Sequence, residues 1–179
     1  MKVQDVMTRT VGTCEPQETL HDAARRMWEQ DLGCLVVVGT DARPMAMLTD
    51  RDVCMAAFTT GKPLHELRVA GAMSKQLVSC RSQEELPAAA ARMGKHAVRR
   101  LPVLDATGAL VGVLGLHDLA EAETRTPATK GAPAAAAAPA ILRTLQQITA
   151  RASTTAPVAA TPVPAEQSAT ATASRPPSA

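Results

Sequence analysis

Thr49 and Asp52 are the residues whose types and spacing most directly suggest chemistry, because they stand three positions apart where a helix is predicted to begin. A helix start presents unpaired backbone N–H groups and the positive end of the helix dipole, and both favour a bound phosphate. The Thr49 hydroxyl adds a donor, and the Asp52 carboxylate can accept hydrogen bonds from a pair of hydroxyl groups. The alternative is purely structural, with Thr49 as the N-cap and Asp52 as a first-turn acid.

Two arginines, Arg99 and Arg100, supply cationic side chains that suit a phosphate. They precede an apolar run, and the guanidinium group offers forked donors and a permanent charge. The alternative is a solvated pair of surface arginines. A second carboxylate, Asp118, also stands where a helix is predicted to begin, but the position three residues before it is Gly115, which has no hydroxyl.

Other constellations that would indicate catalysis are absent from the sequence. The four histidines have no metal-ligand spacing, the four cysteines form no Cys-x-x-Cys pair, and no glycine-rich phosphate loop occurs. These features predict a protein without catalysis of its own, without a metal site and with reduced thiols. Residues 1–121 carry 14 basic and 15 acidic side chains, so the strong basic surface typical of a nucleic-acid-binding protein is missing.

An internal repeat defines the helices and strands that must position these residues. Residues 6–53 align without a gap onto residues 72–119 at an offset of 66, and 13 of the 48 aligned pairs are identical, where chance would give about 3. A unit of this size cannot bury its apolar faces alone, so the two units are expected to pack together. The aligned pairs include Cys14/Cys80, Asp52/Asp118, Thr49/Gly115, Gly33/Arg99 and Cys34/Arg100.

Each unit is predicted to fold as β-α-β-β-α. In the first unit a strand is expected at about residues 10–14, and residues 15–19 then begin a helix whose apolar residues recur at helical spacing. Short aliphatic runs at residues 34–38 and 45–48 predict two strands, and a last helix begins near residue 49. The corresponding strands of the second unit are expected near residues 77–80, 101–104 and 110–114. We therefore predict an α/β (α+β) fold in which two tandem units pack about a pseudo-twofold axis.

Composition divides the chain into a folded body and a tail. We assign residues 1–60 to the first unit, 61–71 to a connector, 72–122 to the second unit, and 123–179 to a tail rich in Ala, Pro and Thr. Such a tail buries too little apolar surface to offset its ordering entropy, so it is predicted to be disordered. An apolar island interrupts it, and a short helix at 140–151 could dock on the body, a partner or a membrane surface, or have no role. The island comprises Ile141, Leu142, Leu145 and Ile148.

The repeat resembles the CBS domain pair, also called a Bateman module, over about residues 2–121. The segments that carry the resemblance are Asp-Val-Met-Thr at 5–8, Met-Leu-Thr-Asp-Arg-Asp at 47–52, Val-Arg-Arg-Leu-Pro-Val at 98–103 and Gly-Val-Leu-Gly-Leu-His-Asp at 112–118. In layout the chain is similar to short stand-alone bacterial members such as hypoxic-response proteins. The resemblance implies a regulatory module that binds AMP, ADP, ATP or S-adenosylmethionine in clefts between paired motifs. It also implies a homodimer arranged as a flat disc of four motifs.

The resemblance also assigns roles to individual residues. It implies that Thr49 and Asp52 form a ribose-phosphate signature, and that Asp118 keeps the ribose contact without a neighbouring hydroxyl. We therefore expect unequal clefts, with the Thr49/Asp52 cleft the better one. Arg99 and Arg100 are expected to reach phosphates from one or both clefts. The adenine would lie among strand residues, for which the candidates are Thr13, Ser79, Val36 and Pro102.

The function that these patterns favour is a non-catalytic regulatory module that binds an adenine nucleotide and signals to a partner protein, which the sequence does not identify. The alternatives are a dimeric interaction module with vestigial clefts, and a binder of S-adenosylmethionine. The only aromatic residues are Trp28 and Phe58, so the core is modest in energy and burial against a second copy would help. No apolar run approaches the ~20 residues of a membrane span, and no signal peptide is visible, so a cytoplasmic location is expected.

Overall fold

The computed structural model describes residues 1–125 together with Gln146 and Ile148. The first unit contains β1 (Thr13–Cys14), α1 (Leu20–Glu29), β2 (Cys34–Val38), β3 (Pro44–Thr49) and α2 (Asp50–Thr60). A short helix, α3 (Val69–Ala72), precedes the second unit. The second unit contains β4 (Cys80–Arg81), α4 (Leu86–His96), β5 (Arg100–Leu104), β6 (Leu110–Gly115) and α5 (Leu116–Arg125). Single 3-10 turns lie at Val3–Asp5 and Leu64–Glu66.

Each unit forms its own three-stranded sheet, and the two sheets have the same topology. The first strand pairs in parallel with the second, and the second pairs antiparallel with the third. In the first sheet, Cys34 lies opposite Thr49, so the start of β2 is adjacent to the start of α2. Leu35 and Val37 face the core of the unit, which places Cys34 and Val36 on the opposite face because side chains alternate along a strand. The predicted fold class and the order of elements are confirmed.

The first strand of each unit is shorter than predicted, and the first helix begins later. β1 covers Thr13–Cys14 instead of residues 10–14, and residues 15–18 form a turn instead of beginning the helix. The cap explains the helix start, because the Thr19 hydroxyl accepts a hydrogen bond from the N–H of Asp22 at 3.1 Å. The helix therefore begins at Leu20.

The two units exchange the segments that precede their first strands. The Val3 N–H donates to the Glu84 carbonyl at 2.9 Å, and the Val69 N–H, 66 positions later, donates to the Glu18 carbonyl at 3.0 Å. Exchanging the units maps one bond onto the other, as an approximate twofold axis requires. The same relation joins three more pairs of backbone bonds: Gln4–Ser82 with Ala70–Pro16, Thr8–Val113 with Ser74–Met47, and Leu86–Met1 with Leu20–Leu67.

Each unit has its own buried core, and the exchanged segments contribute to these cores. Val3 and Met7 precede the first strand of the first unit but lie in the core of the second unit. Val69 likewise precedes the second unit but lies in the core of the first. Each core thus includes residues of the segment that precedes the first strand of the other unit. Separating the two units would therefore expose apolar surface in both cores.

One pair of equivalent positions fills its space differently in the two units. Gly12 lies so close to the first core that a Cβ there would come within 2.5 Å of Leu32 Cδ1 and 2.7 Å of Leu35 Cδ2. The second unit carries Val78 and Val98 at the positions of Gly12 and Leu32, and both pack against its core. A glycine and a leucine of the first unit thus correspond to two valines in the second unit.

The chain after residue 125 is described only at two positions. Helix α5 continues to Arg125, past the predicted boundary at residue 122. Gln146 and Ile148 are both helical, with Gln146 exposed and Ile148 buried. Residues 123–125, which were predicted to belong to the disordered tail of residues 123–179, instead continue α5. The rest of that tail and of the helix predicted at 140–151, apart from Gln146 and Ile148, lies outside the described residues. Within the described residues, no helix combines the length and the apolar character that a membrane span needs.

Candidate functional site

Thr49 and Asp52 are joined by three hydrogen bonds at the start of α2. The Thr49 hydroxyl donates to Asp52 Oδ2 at 2.6 Å, and the Thr49 N–H donates to the same oxygen at 2.9 Å. The Asp52 N–H donates in return to Thr49 Oγ1 at 3.3 Å, which completes a capping box. Within the described residues, no hydrogen bond engages the other carboxylate oxygen, Oδ1. The structural role is therefore filled, and one acceptor atom is still available for a ligand.

Arg100 brings a positive charge from the second unit to this end of the first sheet. A Cβ built on Gly33 would lie 3.1 Å from Nη2 of Arg100, so the guanidinium group rests directly against the Gly33 backbone. The Gly33 carbonyl accepts a hydrogen bond from the N–H of Asp50, the first residue of α2, at 3.4 Å. The next residue, Cys34, pairs with Thr49 in the sheet. Arg100 and the Thr49 helix start therefore meet at one edge of the molecule.

The pKa of the Cys34 thiol reflects the charges around the start of α2. Burial raises its pKa, the positive charge of Arg100 lowers it, and the negative charge of Asp50 raises it further. Arg100 and Asp50 thus act on the same thiol with opposite sign. An anionic ligand here would gain from the arginine and would have to avoid the exposed carboxylate of Asp50.

The equivalent place in the second unit is arranged differently. The Gly115 N–H donates to Asp118 Oδ2 at 2.6 Å, and the Thr8 hydroxyl donates to Oδ1 of the same carboxylate at 3.3 Å. Thr8 belongs to the exchanged N-terminal segment. Its equivalent in the first unit, Ser74, instead accepts a hydrogen bond from a backbone N–H of β3 at 3.0 Å. Both oxygens of Asp118 are therefore engaged within the protein.

Two apolar residues, Val36 and Pro102, were predicted to contact the adenine, and they lie on the strand faces that carry Cys34 and Arg100. Val36 shares a face of β2 with Cys34, and Pro102 shares a face of β5 with Arg100, because residues two apart on a strand point the same way. Both Val36 and Pro102 are buried. Their placement is compatible with a lining for a cleft between the units.

The other predicted residues are less closely associated with the start of α2. The carbonyl of Thr13 accepts a hydrogen bond from Arg26, and the carbonyl of Ser79 accepts one from Arg92 at 2.6 Å. Both carbonyls already have side-chain donors. Arg99 and Arg100 are both exposed, and it is the guanidinium group of Arg100 that lies against Gly33.

A depression of about 370 Å³ lies along the free edge of β1. It includes Thr13 among the predicted site residues, but neither Thr49 nor Asp52 lines it. Arg26 in its wall is paired with Glu18 at 2.9 Å, so its charge is compensated. The lining residues are Val11, Gly12, Thr13, Cys14, Glu15, Glu18, Arg26, Gln30 and Val38.

Sequence reasoning missed two residues that shape these sites, Gly33 and Thr8. Gly33 aligns with Arg99, and a glycine opposite a long side chain is a signal that another group needs the space. Thr8 aligns with Ser74, so a hydroxyl occurs in both units. Its partner depends on the exchange of segments, which the repeat alone does not reveal.

Large apolar side chains are exposed on the two helices of the first unit, a surface that we call the first-unit helical face. Trp28 on α1 is 88% exposed, while Phe58 and Met55 on α2 are 76% and 42% exposed. The aligned positions of the second unit hold Gly94, Thr124 and Glu121. Large apolar side chains exposed on neighbouring helices favour an interaction surface when they lie together.

Comparison with known proteins finds a matching family model and a similar protein. The family model of the CBS domain matches residues 3–58 and again residues 68–125. The CBS domain-containing protein YhcV of Bacillus subtilis is 36% identical over 118 residues, which cover 66% of this chain and 82% of YhcV.

Two crystal structures extend the comparison. That of Hypoxic Response Protein I with two coordinated zinc ions is 28% identical, covers 71% of this chain and 100% of that one, and has a TM-score of 0.62. That of CBSX2 in complex with AMP is 25% identical, covers 69% and 96%, and has a TM-score of 0.61. Among the described residues of the present chain, no group of three His, Cys, Asp or Glu side chains is placed to hold a metal ion.

Proposed function

The chain belongs to the family of CBS domain proteins, and from this premise we propose that it is a non-catalytic regulatory module that binds an adenine nucleotide at the start of α2. The observation that carries the proposal is the contact of Arg100 with Gly33, which brings a cation of the second unit beside the Thr49–Asp52 helix start. The AMP complex of the similar protein CBSX2 supports this choice of ligand.

Each group at this site has a distinct role in the proposal. The phosphate lies at the positive end of the α2 dipole, takes over from Asp52 as the acceptor of the Thr49 hydroxyl, and receives a charge-assisted hydrogen bond from Arg100. Oδ1 of Asp52 accepts hydrogen bonds from the ribose hydroxyls. The adenine packs against the strand face that carries Val36. An anionic ligand uses Arg100 fully, whereas the cationic sulfonium of S-adenosylmethionine does not, so a nucleotide is the better match.

The first cleft is proposed as the principal binding site, because three features of the second cleft oppose binding. The hydroxyl of Thr49 is replaced by the hydrogen of Gly115. The residue equivalent to Arg100 is Cys34, which carries no charge at neutral pH. The carboxylate of Asp118 is already engaged at both oxygens, and a ligand would have to displace one of those bonds.

Regulation follows from the two-unit origin of the site. Thr49 and Asp52 belong to the first unit and Arg100 to the second, so a nucleotide held by all three favours one relative placement of the units. A ligand shifts a conformational equilibrium only through a difference in affinity between the states. We propose that a partner protein recognises the placement that the nucleotide stabilises.

Thermal unfolding of the full chain tests the ligand and the site together. The melting temperature is measured with and without millimolar AMP, ADP, ATP or S-adenosylmethionine. A ligand at ~100 times its dissociation constant adds about 2.7 kcal/mol to the folded state. We expect a nucleotide to raise the melting temperature, Asp52→Ala to abolish the rise, and Asp118→Ala to preserve most of it.

The control variant, Asp118→Ala, removes the same carboxylate from the position that aligns with Asp52. Because Asp52 also belongs to a capping box, the quantity compared is the rise caused by ligand, not the melting temperature itself. Equal losses in the two variants would contradict the inequality of the clefts. The absence of a rise with every nucleotide at millimolar concentration would refute the proposed function.

A homodimer is a second proposal, carried by the exposure of Trp28, Phe58 and Met55 on the first-unit helical face. Burial of these side chains against a second copy would remove apolar area from water at roughly 25 cal/mol per Å². Sedimentation equilibrium should give twice the chain mass, and Trp28→Glu combined with Phe58→Glu should give the monomer mass. Lys95→Glu, an exposed change on α4, should leave the dimer intact. A monomeric parent protein at 0.1 mM would refute this proposal.

A further inference from the structure

The two exchanged segments contact the third strands of the sheets through aligned residues but with different hydrogen bonds. Thr8 pairs with Val113 through the backbone alone: its N–H donates to the Val113 carbonyl at 3.0 Å, and its carbonyl accepts from the Val113 N–H at 2.9 Å. The aligned residue Ser74 also donates its N–H to the Met47 carbonyl, at 2.8 Å. The Met47 N–H, however, donates to the hydroxyl of Ser74 at 3.0 Å. In the first unit a side-chain oxygen therefore replaces the backbone carbonyl as the acceptor.

The difference follows from the size of the strand residue beneath each segment. Gly112 in β6 aligns with Ala46 in β3. A Cβ built on Gly112 would lie 2.9 Å from the carbonyl oxygen of Thr8 and 2.7 Å from the sulfur of Met7, which is too close for a methyl group. The segment can thus take this position only over a glycine. The deeper seat is also visible in burial, since Met7 is 7% exposed whereas its equivalent Met73 is half-buried.

The two aligned hydroxyls consequently have different partners. The Ser74 hydroxyl accepts from the strand and donates to the Gln76 carbonyl at 3.0 Å, so its hydrogen is not directed at Asp52. The Thr8 hydroxyl is not needed by the strand, and it donates to Oδ1 of Asp118 at 3.3 Å. At the aligned oxygen of Asp52, the proposed function places a ribose hydroxyl. Thr8 therefore supplies from within the chain the donor that a ribose would supply.

We propose that Gly112 and Thr8 determine which of the two clefts accepts a ribose. Gly112 seats the N-terminal segment against β6, and the Thr8 hydroxyl then takes the free oxygen of Asp118. Ala46 prevents the same seat in the first unit and so leaves its carboxylate open. This inference rests on the proposed function, because it uses the ribose-binding role given there to the aspartates.

The second cleft, once released from Thr8, should take a nucleoside as readily as a nucleotide. Its carboxylate would accept hydrogen bonds from the two ribose hydroxyls. The positions equivalent to Thr49 and Arg100 hold Gly115 and Cys34, so a phosphate would find neither the hydroxyl nor the guanidinium group. We therefore expect Kd values for adenosine and AMP that agree within about threefold, since the charge-assisted bond to phosphate is missing.

Equilibrium dialysis of the full chain against radiolabelled adenosine tests the proposal. Each variant also carries Asp52→Ala, which removes the contribution of the first cleft, and the unsubstituted chain is measured alongside. Thr8→Ala removes the hydroxyl, whereas Thr8→Ser retains it, and both lack the methyl group of threonine. We expect Kd for adenosine to be roughly fivefold lower or more in Thr8→Ala than in Thr8→Ser, the lower end of the effect of a hydrogen bond to a charged group.

Gly112→Ala tests the cause of the contact and copies the residue of the first unit. The new methyl group should displace the Thr8 carbonyl, so that the Val113 N–H takes the Thr8 hydroxyl and Asp118 is released. We expect the same gain in adenosine binding as in Thr8→Ala. A crystal structure of this variant gives a readout that needs no ligand, with the Thr8 hydroxyl at hydrogen-bonding distance from the Val113 nitrogen.

The outcomes separate this inference from the proposed function. Equal Kd values for Thr8→Ala and Thr8→Ser would overturn the role of the hydroxyl, and this comparison decides alone if Gly112→Ala does not fold. A Thr8–Asp118 bond that persists in the Gly112→Ala structure would overturn the role of the glycine. An unsubstituted chain that binds neither adenosine nor AMP would refute the proposed function, and the Gly112→Ala structure would still decide how the segment is seated.

Discussion

Replacing Arg100 with glutamine tests whether the charge that crosses from the second unit serves a bound phosphate. Glutamine keeps a polar side chain but removes the cation and its forked donors. The guanidinium lies against Gly33, beside the strand position that pairs with Thr49. We expect Arg100→Gln to weaken the binding of AMP while the fold and its melting temperature are preserved, because Arg100 is an exposed residue.

The size of the effect follows from the type of bond and its exposure. A hydrogen bond to a charged group contributes about 1.5–3 kcal/mol. Arg100 is exposed, so the lower end of this range applies, and ~1.5 kcal/mol corresponds to about a tenfold increase in Kd. Arg99→Gln removes the same charge one residue away from a side chain that is also exposed. At 0.15 M salt, with a screening length of about 8 Å, it should change Kd by about twofold at most.

Isothermal titration calorimetry at 0.15 M salt measures these constants, with AMP and adenosine as the two ligands. Adenosine lacks the phosphate, so Arg100→Gln should weaken AMP tenfold and leave adenosine unchanged. The reasoning is refuted if Arg99→Gln weakens AMP as much as Arg100→Gln does. It is refuted equally if Arg100→Gln weakens adenosine and AMP by the same factor, because the arginine would then act on the shape of the cleft.

Three other predictions concern stability and are tested by urea unfolding. Gly12→Val should destabilise the protein by about 1–3 kcal/mol through overpacking, and adding Leu32→Val should recover most of the loss, with a coupling energy above about 0.5 kcal/mol. Gly115→Thr should stabilise it by a few tenths of a kcal/mol, roughly the gain expected from a better N-cap, since the nearest heavy atom to a new Cβ is 3.5 Å away. Burial raises the pKa of the Cys14 and Cys80 thiols from 9.0 to about 12. Because the unfolded chain loses these protons first, the contribution of the two thiols to stability should be constant below pH 9 and fall from pH 9 towards pH 12, and the stability of Cys→Ala variants should fall less over that range.

The repeat made the fold predictable from the sequence because local patterns and the duplication agree. Periodic apolar residues located the helices, and short aliphatic runs located the central strands to within about one residue. The first strands were predicted too long, and the pairing of residues 3–8 with the other unit was not predicted. That pairing depends on contacts between residues far apart in the sequence, such as Val3 with Glu84 and Thr8 with Val113, and periodicity along the chain contains no information about them.

The candidate site was predictable in its residue types but not in its geometry. Thr49 and Asp52 are at the helix start, as expected, and their spacing of three residues was sufficient to place them together. Arg99 and Arg100 could not be distinguished from the sequence, because the predicted strand began after both of them. The strand in fact begins at Arg100, so this side chain takes a defined face of the sheet and reaches Gly33.

The departures from symmetry between the two units are not scattered over the fold. Paired positions in the cores keep the same or similar residues, as with Leu35 and Leu101 or Leu48 and Leu114, because each must fill the same space beneath its own helices. Apart from Gly12/Val78 and Leu32/Val98, which pack against the cores, the differences in charge and size that bear on binding lie at the clefts and on the outer helical faces, where packing imposes no such limit. A duplicated unit can therefore hold two equivalent cores while retaining one cleft with a cation and a free acceptor, and one helical face with exposed aromatic side chains. The pairs that carry this asymmetry are Thr49/Gly115, Cys34/Arg100, Gly33/Arg99 and Trp28/Gly94.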